Sequence, residues 1–195
     1  VWDVAFTPDG SRLLSSSGAA SPSAPVQDTS IRLWDLTSGA QQEVAALPVD
    51  VIFQVAISPD GRTALVATTA PVIRVWDIES WQEVGALEGH QGPVTGVEFT
   101  PDGRRALSVS VDGTLILWDV ARQRALHRFD TGGNGLWSVA ISPDGQTALS
   151  DSSDSSMILW DLETGELVRR FVRRDPAEEP GSTCAVFLPD GHSTL

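Results

Sequence analysis

The chain has 195 residues, 41% hydrophobic and 20% charged, with a net charge of −13; the composition is globular, and the acidity argues against nucleic acid or an anionic lipid surface as main partner, because phosphate-binding surfaces are built on clustered positive charge. A single cysteine, Cys184, excludes an intramolecular disulfide framework and any cysteine-rich metal site and is compatible with a reducing compartment. No stretch approaches the roughly 18 apolar residues of a membrane-spanning helix, and all 13 basic residues are Arg, a bias from which no function follows.

Taken from its start, the chain reads as short strands between turns. A first strand at 1–7 runs into Pro8-Asp9-Gly10; a second lies near 12–16, a third at 31–36 carries Trp34-Asp35, and a fourth lies near 43–47. With these four lettered a to d, the same order begins again near Val51, Val94 and Leu136. A fifth copy starts near Ser182 and stops at Leu195, barely into its second strand.

Two markers fix the repeat. Trp-Asp returns as Trp34-Asp35, Trp76-Asp77, Trp118-Asp119 and Trp160-Asp161, at a constant step of 42 residues. Pro-Asp-Gly returns at Pro8, Pro59, Pro101, Pro143 and Pro189, and stands 17 residues ahead of the Trp in the second, third and fourth copies. That period is the length of one four-stranded propeller blade. Within a copy, the run TLILWDV at 114–120 crowds apolar side chains between turn residues, as a buried strand does. The expected fold is all-β: a β-propeller of four-stranded antiparallel blades in an incomplete ring. It is read as a single segment over 1–195, with blades at about 1–48, 49–90, 91–132 and 133–174 and a partial one at 175–195.

The turns have a physical reading. In Ser58-Pro59-Asp60-Gly61 the Pro presets φ for the second position of a type I turn, the Asp suits the third, and the Gly takes the left-handed conformation that a following bulge demands. Each such turn joins strands a and b. Alternation of Val97 with Phe99, and of Val4 with Phe6, Val55 with Ile57 and Val139 with Ile141, is expected to turn one face of strand a into the packing between blades.

The stretch 89–119, GHQGPVTGVEFTPDGRRALSVSVDGTLILWD, holds Gly-His, a first strand, Pro-Asp-Gly, a second strand, Asp-Gly-Thr and Trp-Asp, and so resembles a WD-repeat unit. The other copies share most of this pattern at the same offsets, so the resemblance covers essentially the whole chain. It implies a β-propeller used as a protein-interaction platform. It also implies a buried network joining a His before strand a, a Ser or Thr on strand b, an Asp at the b-to-c turn and the Trp of strand c. Blade three matches at every position, with His90, Ser108, Asp112 and Trp118. Blade four keeps Ser150, Asp154 and Trp160 but has Gly132 at the His position; blade one offers Ser15, Asp28 and Trp34; blade two has Pro48, Val66 and Ala70 around Trp76. A His, a Ser and an Asp could make a base and a nucleophile. Tied to the Trp of a repeat, they read instead as a device that satisfies buried polar groups.

No catalytic residue, cofactor or metal site is expected. DSSDSS at 151–156 lacks the Gly and terminal Glu of a helix-flanked calcium loop, and His192 and Cys184, close to Leu195, support no metal site. Arg169, Arg170, Arg173 and Arg174 beside Asp175, Glu178 and Glu179 read as a solvated, self-neutralising stretch.

Function is expected on loops. In an up-and-down blade the a–b and c–d loops share one end and the b–c and d–a loops the other. Both length insertions, at 17–27 and near 173–181, fall on the b–c and d–a end, which makes it the expected binding face. On the same end, the residue six before each Pro-Asp-Gly proline is Trp2, Phe53, Thr95, Trp137 and Thr183. Aromatic residues in a polar surround are what interface hot spots are made of, so Trp2, Phe53 and Trp137, with Thr95 between them, are the expected contacts.

The reading is a non-catalytic scaffold that displays this face to a protein or peptide, with neither nucleic acid nor membrane as partner. Two alternatives are a regulatory propeller appended to a signalling enzyme, a kinase or NTPase, and a propeller gating substrate access to a hydrolase; the regular Trp-Asp pairs disfavour the latter. A chain that starts inside one blade and stops inside another is expected to be part of a longer protein and, through its incomplete ring, to favour self-association.

Overall fold

In the computed structural model, which describes residues 3–17, 29–46, 51–172 and 187, the chain forms four antiparallel sheets of four strands each, with no helix among the described residues. Sheet one is β1 (Asp3–Phe6), β2 (Arg12–Ser16), β3 (Ser30–Asp35) and β4 (Gln41–Ala46); sheet two is β5 (Ile52–Ile57), β6 (Thr63–Thr68), β7 (Val72–Asp77) and β8 (Gln82–Glu88). Sheet three is β9 (Val94–Phe99), β10 (Arg105–Ser110), β11 (Thr114–Asp119) and β12 (Arg124–Asp130); sheet four is β13 (Leu136–Ile141), β14 (Thr147–Ser152), β15 (Ser156–Asp161) and β16 (Leu167–Val172). Strands lie side by side in chain order within every sheet. The four repeat tryptophans occupy the same register position, opposite Leu13, Ala64, Ala106 and Ala148. Of the fifth copy, only Phe187 is among the described residues.

Turn chemistry sets the period locally. At each of four turns the Gly amide donates to the carbonyl of the Ser or Thr before the Pro, at 2.8 Å, and the glycines Gly10, Gly61, Gly103 and Gly145 have φ of 67–72°. The preceding hydroxyl completes the turn: Thr7, Ser58, Thr100 and Ser142 each donate to the turn Asp at 2.6 Å. A β-carbon on Gly61, Gly103 or Gly145 would come within 3.2–3.3 Å of the proline ring one repeat earlier. Glycine is therefore needed there twice, for its left-handed backbone and for the stacking of turn upon turn. At the other turn of the same end, the repeat's Asp closes the strand c to d connection, as when Asp161 accepts from the Thr164 amide and hydroxyl.

The core lies between sheets. Leu14, Ile31 and Leu33 of sheet one meet Val55, Ala64 and Val66 of sheet two. Leu65, Ile73, Val75 and Leu87, on the other face of sheet two, meet Val97, Phe99, Ile116 and Trp118 of sheet three. Leu107, Leu115, Leu117 and Phe129 then meet Val139, Ile141, Ile158 and Trp160 of sheet four. Sheets two and three thus each bury a leading face against the sheet before and a trailing face against the sheet after. A fully buried Leu, Ile or Val contributes about 1.5–3 kcal/mol, which is why both faces of the inner sheets are apolar. First strands pack on one another along the series, β1 on β5, β5 on β9 and β9 on β13, while fourth strands barely touch. The sheets fan out from an axis beside the first strands, and among the described residues sheets one and four do not pack on each other: this is an open β-propeller.

One expectation fails at the start of the fan. Val4 and Phe6 are 48% and 61% exposed, whereas Val55, Val97, Phe99, Val139 and Ile141 are buried. The leading face of sheet one has the alternation of its counterparts, but among the described residues no sheet packs in front of it.

Candidate functional site

Sheet three assembles its four polar residues. Trp118 Nε1 donates to Ser108 Oγ at 2.8 Å, and Ser108 Oγ lies 2.7 Å from His90 Nε2. His90 Nδ1 lies 3.1 Å from Thr114 Oγ1 and 3.3 Å from Asp112 Oδ2, while the Thr114 hydroxyl donates to Asp112 Oδ1 at 2.6 Å. Because the Thr114 proton is spent on Asp112, both partners of Nδ1 act as acceptors, so Nδ1 carries the ring proton and Nε2 accepts from Ser108. Burial pushes His90 down to about 4, against the pull of Asp112, so the imidazole is neutral at physiological pH. Burial raises Asp112, yet hydrogen bonds from the Gln91 amide and from Thr114 outweigh it and hold the carboxyl below its ordinary range.

The network fixes two loops of one end. Asp112, in the b-to-c turn, accepts from the Gln91 amide at 2.7 Å and so binds the segment before strand a. Gly89 lets that segment lie flat on the indole: a β-carbon there would stand 3.0 Å from Trp118 Cη2. As a nucleophile Ser108 has no way out. It is fully buried and its oxygen is held between the indole and the imidazole, so no substrate carbonyl reaches it.

Other copies hold less. Trp34 donates to Ser15 at 2.8 Å and Trp160 to Ser150 at 3.0 Å; Asp28 lies outside the described residues. With Gly132 in place of a His, Asp154 is not joined to Ser150 and Trp160. It closes its own turn on Ser156 and takes Asn134 at 2.9 Å and Arg170 at 3.2 Å instead. In sheet two Val66 stands where the hydroxyl would be, and Trp76 Nε1 is buried without a hydrogen-bond partner; Pro48 lies outside the described residues.

Positions six before the Pro-Asp-Gly prolines share a feature that no residue type announces. Phe53 is the extra residue where Ile52 pairs with Thr68 and Gln54 with Ala67; Thr95 is the extra residue where Val94 pairs with Ser110 and Gly96 with Val109. Trp137 and Ser138 together face Asp151, between the pairs Leu136–Ser152 and Val139–Ser150. Each is a β-bulge, which re-aims a side chain out of the pleat. Trp137 is 52% exposed, and buried Asp151 accepts from the Ser138 amide at 2.6 Å and the Trp137 amide at 3.3 Å, filling the gap the bulge leaves in the ladder. Phe53 is half-buried. Thr95 is buried, and its hydroxyl donates to the Leu136 carbonyl at 2.7 Å, joining sheets three and four. Trp2, Thr183, Cys184, His192 and the two loop insertions, apart from Ser17, lie outside the described residues.

Sequence reasoning missed a row of bonds between sheets. Asp3 Oδ2 accepts from the Val55 amide at 2.9 Å, Gln54 Oε1 from Val97 at 2.8 Å, and Glu98 Oε2 from Ile141 at 2.8 Å. Each caps an amide on the first, innermost strand of the next sheet. Gly96, at the position of Asp3 and Gln54, leaves the room Gln54 needs, since a β-carbon there would stand 3.2 Å from Gln54 Oε1; Glu98, two residues on, then makes the link to sheet four. Enclosure raises the Glu98 carboxyl to about 7, with the Ile141 amide pulling the other way. Among the described residues no group of three or more His, Cys, Asp and Glu could hold a metal ion, and Asp151 and Asp154 serve the bulge and the turn.

Comparison with known sequences agrees with this geometry. The family model described as WD domain, G-beta repeat matches residues 1–35, 81–119 and 124–161, more than half of the chain. The matched residues leave out 36–80, where Val66 and Ala70 have replaced the polar partners of Trp76. No curated protein matches the chain. The repeat that fixes the sheets is the repeat the family model recognises, so the chain belongs to the WD-repeat family, whose propellers in general serve as non-catalytic scaffolds for protein interaction.

Proposed function

We propose that the chain presents the end carrying its b–c and d–a loops to another protein or peptide, with Trp137 and Phe53 as contacts and Trp2 as their counterpart in the first copy. The observation that carries this reading is Trp137: half-exposed, on a bulge whose freed amides are held by a buried carboxylate. A large aromatic on a pre-ordered backbone costs little entropy to bind, which is the character of an interface anchor. Thr95, committed to the Leu136 carbonyl, separates the two aromatics rather than joining them. The polar network of sheet three serves the same end by fixing its loops.

A photocrosslinking side chain in place of Trp137 is expected to capture a partner that the same group in place of Thr37, on the opposite end, does not. Equal capture from both positions, or capture from Thr37 alone, rejects the assignment. The exposed leading face at Val4 and Phe6 gives the chain a separate route to self-association. Phe6→Glu is expected to remove any dimer seen by sedimentation while leaving capture from position 137 intact.

A further inference from the structure

We propose that the cleft between sheets two and three, on the end that carries the Pro-Asp-Gly turns, is a second docking site, and that it takes an acidic peptide segment bearing an apolar side chain. The cleft holds about 720 Å³, room for a few side chains. Phe99, Val120, Ala121 and Leu126 line its apolar part, and Arg104, Arg105 and Arg122 stand around it.

The repeat supplies an internal control, because equivalent residues meet at all three junctions. At the position of Val120, sheets two and four carry Ile78 and Leu162, each 1% exposed; Val120 is shorter and only half-buried, so the junction between sheets two and three stays open. Glu79 and Glu163 occupy the next position, where sheet three has Ala121; Ser80 and Thr164 follow, where it has Arg122. The acid that sheets two and four carry is thus missing and a base is added, in a chain of net charge −13.

The carboxylates that remain are already committed. Asp60 and Asp102 close their own turns, and Asp119 accepts from the Arg122 amide and pairs with its guanidinium at 2.9 Å. Neither Arg104 nor Arg105 makes an ion pair among the described residues. Guanidinium groups on two consecutive residues, with no ion pair among the described residues, beside an apolar floor suit carboxylates, which they can grip bidentately, flanking one buried apolar residue.

The test is fluorescence anisotropy of the full chain with a fluorescein-labelled peptide, Gly-Glu-Leu-Glu-Phe-Glu-Gly, against the same peptide with Lys for every Glu. Saturable binding of the acidic peptide, weakened by about 0.5 M salt, and none of the basic one is expected. Ala121→Glu restores the acid that sheets two and four carry, so it keeps the fold; it and the Arg104→Glu/Arg105→Glu pair should each weaken binding about tenfold or more, whereas Arg169→Glu and Trp137→Ala should leave it unchanged. Failure of the acidic peptide to bind, equal binding of the basic peptide, or undiminished binding to Ala121→Glu would each overturn the proposal. Since Trp137 lies at the opposite end, none of these outcomes bears on the face proposed above.

Discussion

Sheets two and three have strands of matching length and place their tryptophans in the same register, yet one contains the full polar network and the other none of it. Apolar faces and hydrogen-bonded turns are therefore enough to make a blade. What the network adds is outside the strands: in sheet three it ties the segment before strand a to the b-to-c turn through Asp112 and Gln91. It also provides a hydroxyl for an indole that in sheet two has no partner. Order at the loop end is thus a separate property of each blade, set by a few buried polar residues on a scaffold that forms without them.

The strongest way to break this contrast is to give sheet three the chemistry of sheet two. Ser108→Val removes the partner of both the Trp118 indole and His90 Nε2, and two stranded buried groups cost about 2–4 kcal/mol together. Chemical denaturation should show that loss with an unchanged slope. His90→Ala strands Ser108 less completely, because Trp118 still donates to it, and should cost about 1–3 kcal/mol. The exposed His127→Ala serves as control. A cost for His90→Ala no larger than that of the control would mean that the network orders nothing. Hydrogen exchange separates the two roles, since His90→Ala should speed exchange at Gln91 and Thr114 more than in the strand interiors.

A second contrast concerns the links out of the two sheets: Gln54 caps the Val97 amide and Glu98 caps the Ile141 amide. An amide oxygen cannot ionise, whereas an enclosed carboxylate pays for its charge. The folded pKa of Glu98, about 7, lies above the ordinary 4.5, so its contribution is complete below 4.5 and is lost as pH rises towards 7. His90 runs the other way. Its folded pKa of about 4 lies below the ordinary 6.5, so its contribution is complete above 6.5 and is lost as pH falls to 4. Between 4.5 and 6.5 the two slopes oppose, and the intact chain should show a shallow stability profile there. Glu98→Gln makes the third junction like the second. It should raise stability by about 1–3 kcal/mol near pH 8 and expose a steeper loss on the acid side. An unchanged profile in thermal melts across that range would show that the carboxyl is not enclosed.

Much of this was legible in the sequence because it repeats in kind. The tryptophans, the turns with their left-handed glycines, and the eroded partners at Val66 and Ala70 all follow from a step of 42 residues. The bonds between sheets do not repeat in kind: Asp3, Gln54 and Glu98 share only an acceptor oxygen, and what they cap is a backbone amide, which has no letter in the sequence. Bulges at Phe53, Thr95 and Trp137 were hidden for the same reason, since one extra residue in a pairing shows only when both strands are seen. Val4 and Phe6 read as core because alternation reports which face is apolar and not whether another sheet covers it.

The smallest expected effect tests the contrast from the other side. Val66→Thr keeps the branched shape of the side chain and puts a hydroxyl where sheets one, three and four have a serine, close to the unpartnered Trp76 Nε1. Burying a hydroxyl without a partner costs about 1–3 kcal/mol. Here the hydroxyl gains an indole donor and relieves the indole in turn, so the two terms should offset to within about 1 kcal/mol. Val109→Thr, on the trailing face of sheet three, makes the same exchange at a buried site in an apolar cluster and should bear the full cost. The difference between the two variants, measured by denaturant unfolding, isolates the worth of one Trp-to-hydroxyl bond in this fold. Equal losses would mean that Trp76 has accommodated its missing partner in some other way, and that the polar residues of sheet three matter for their loops alone.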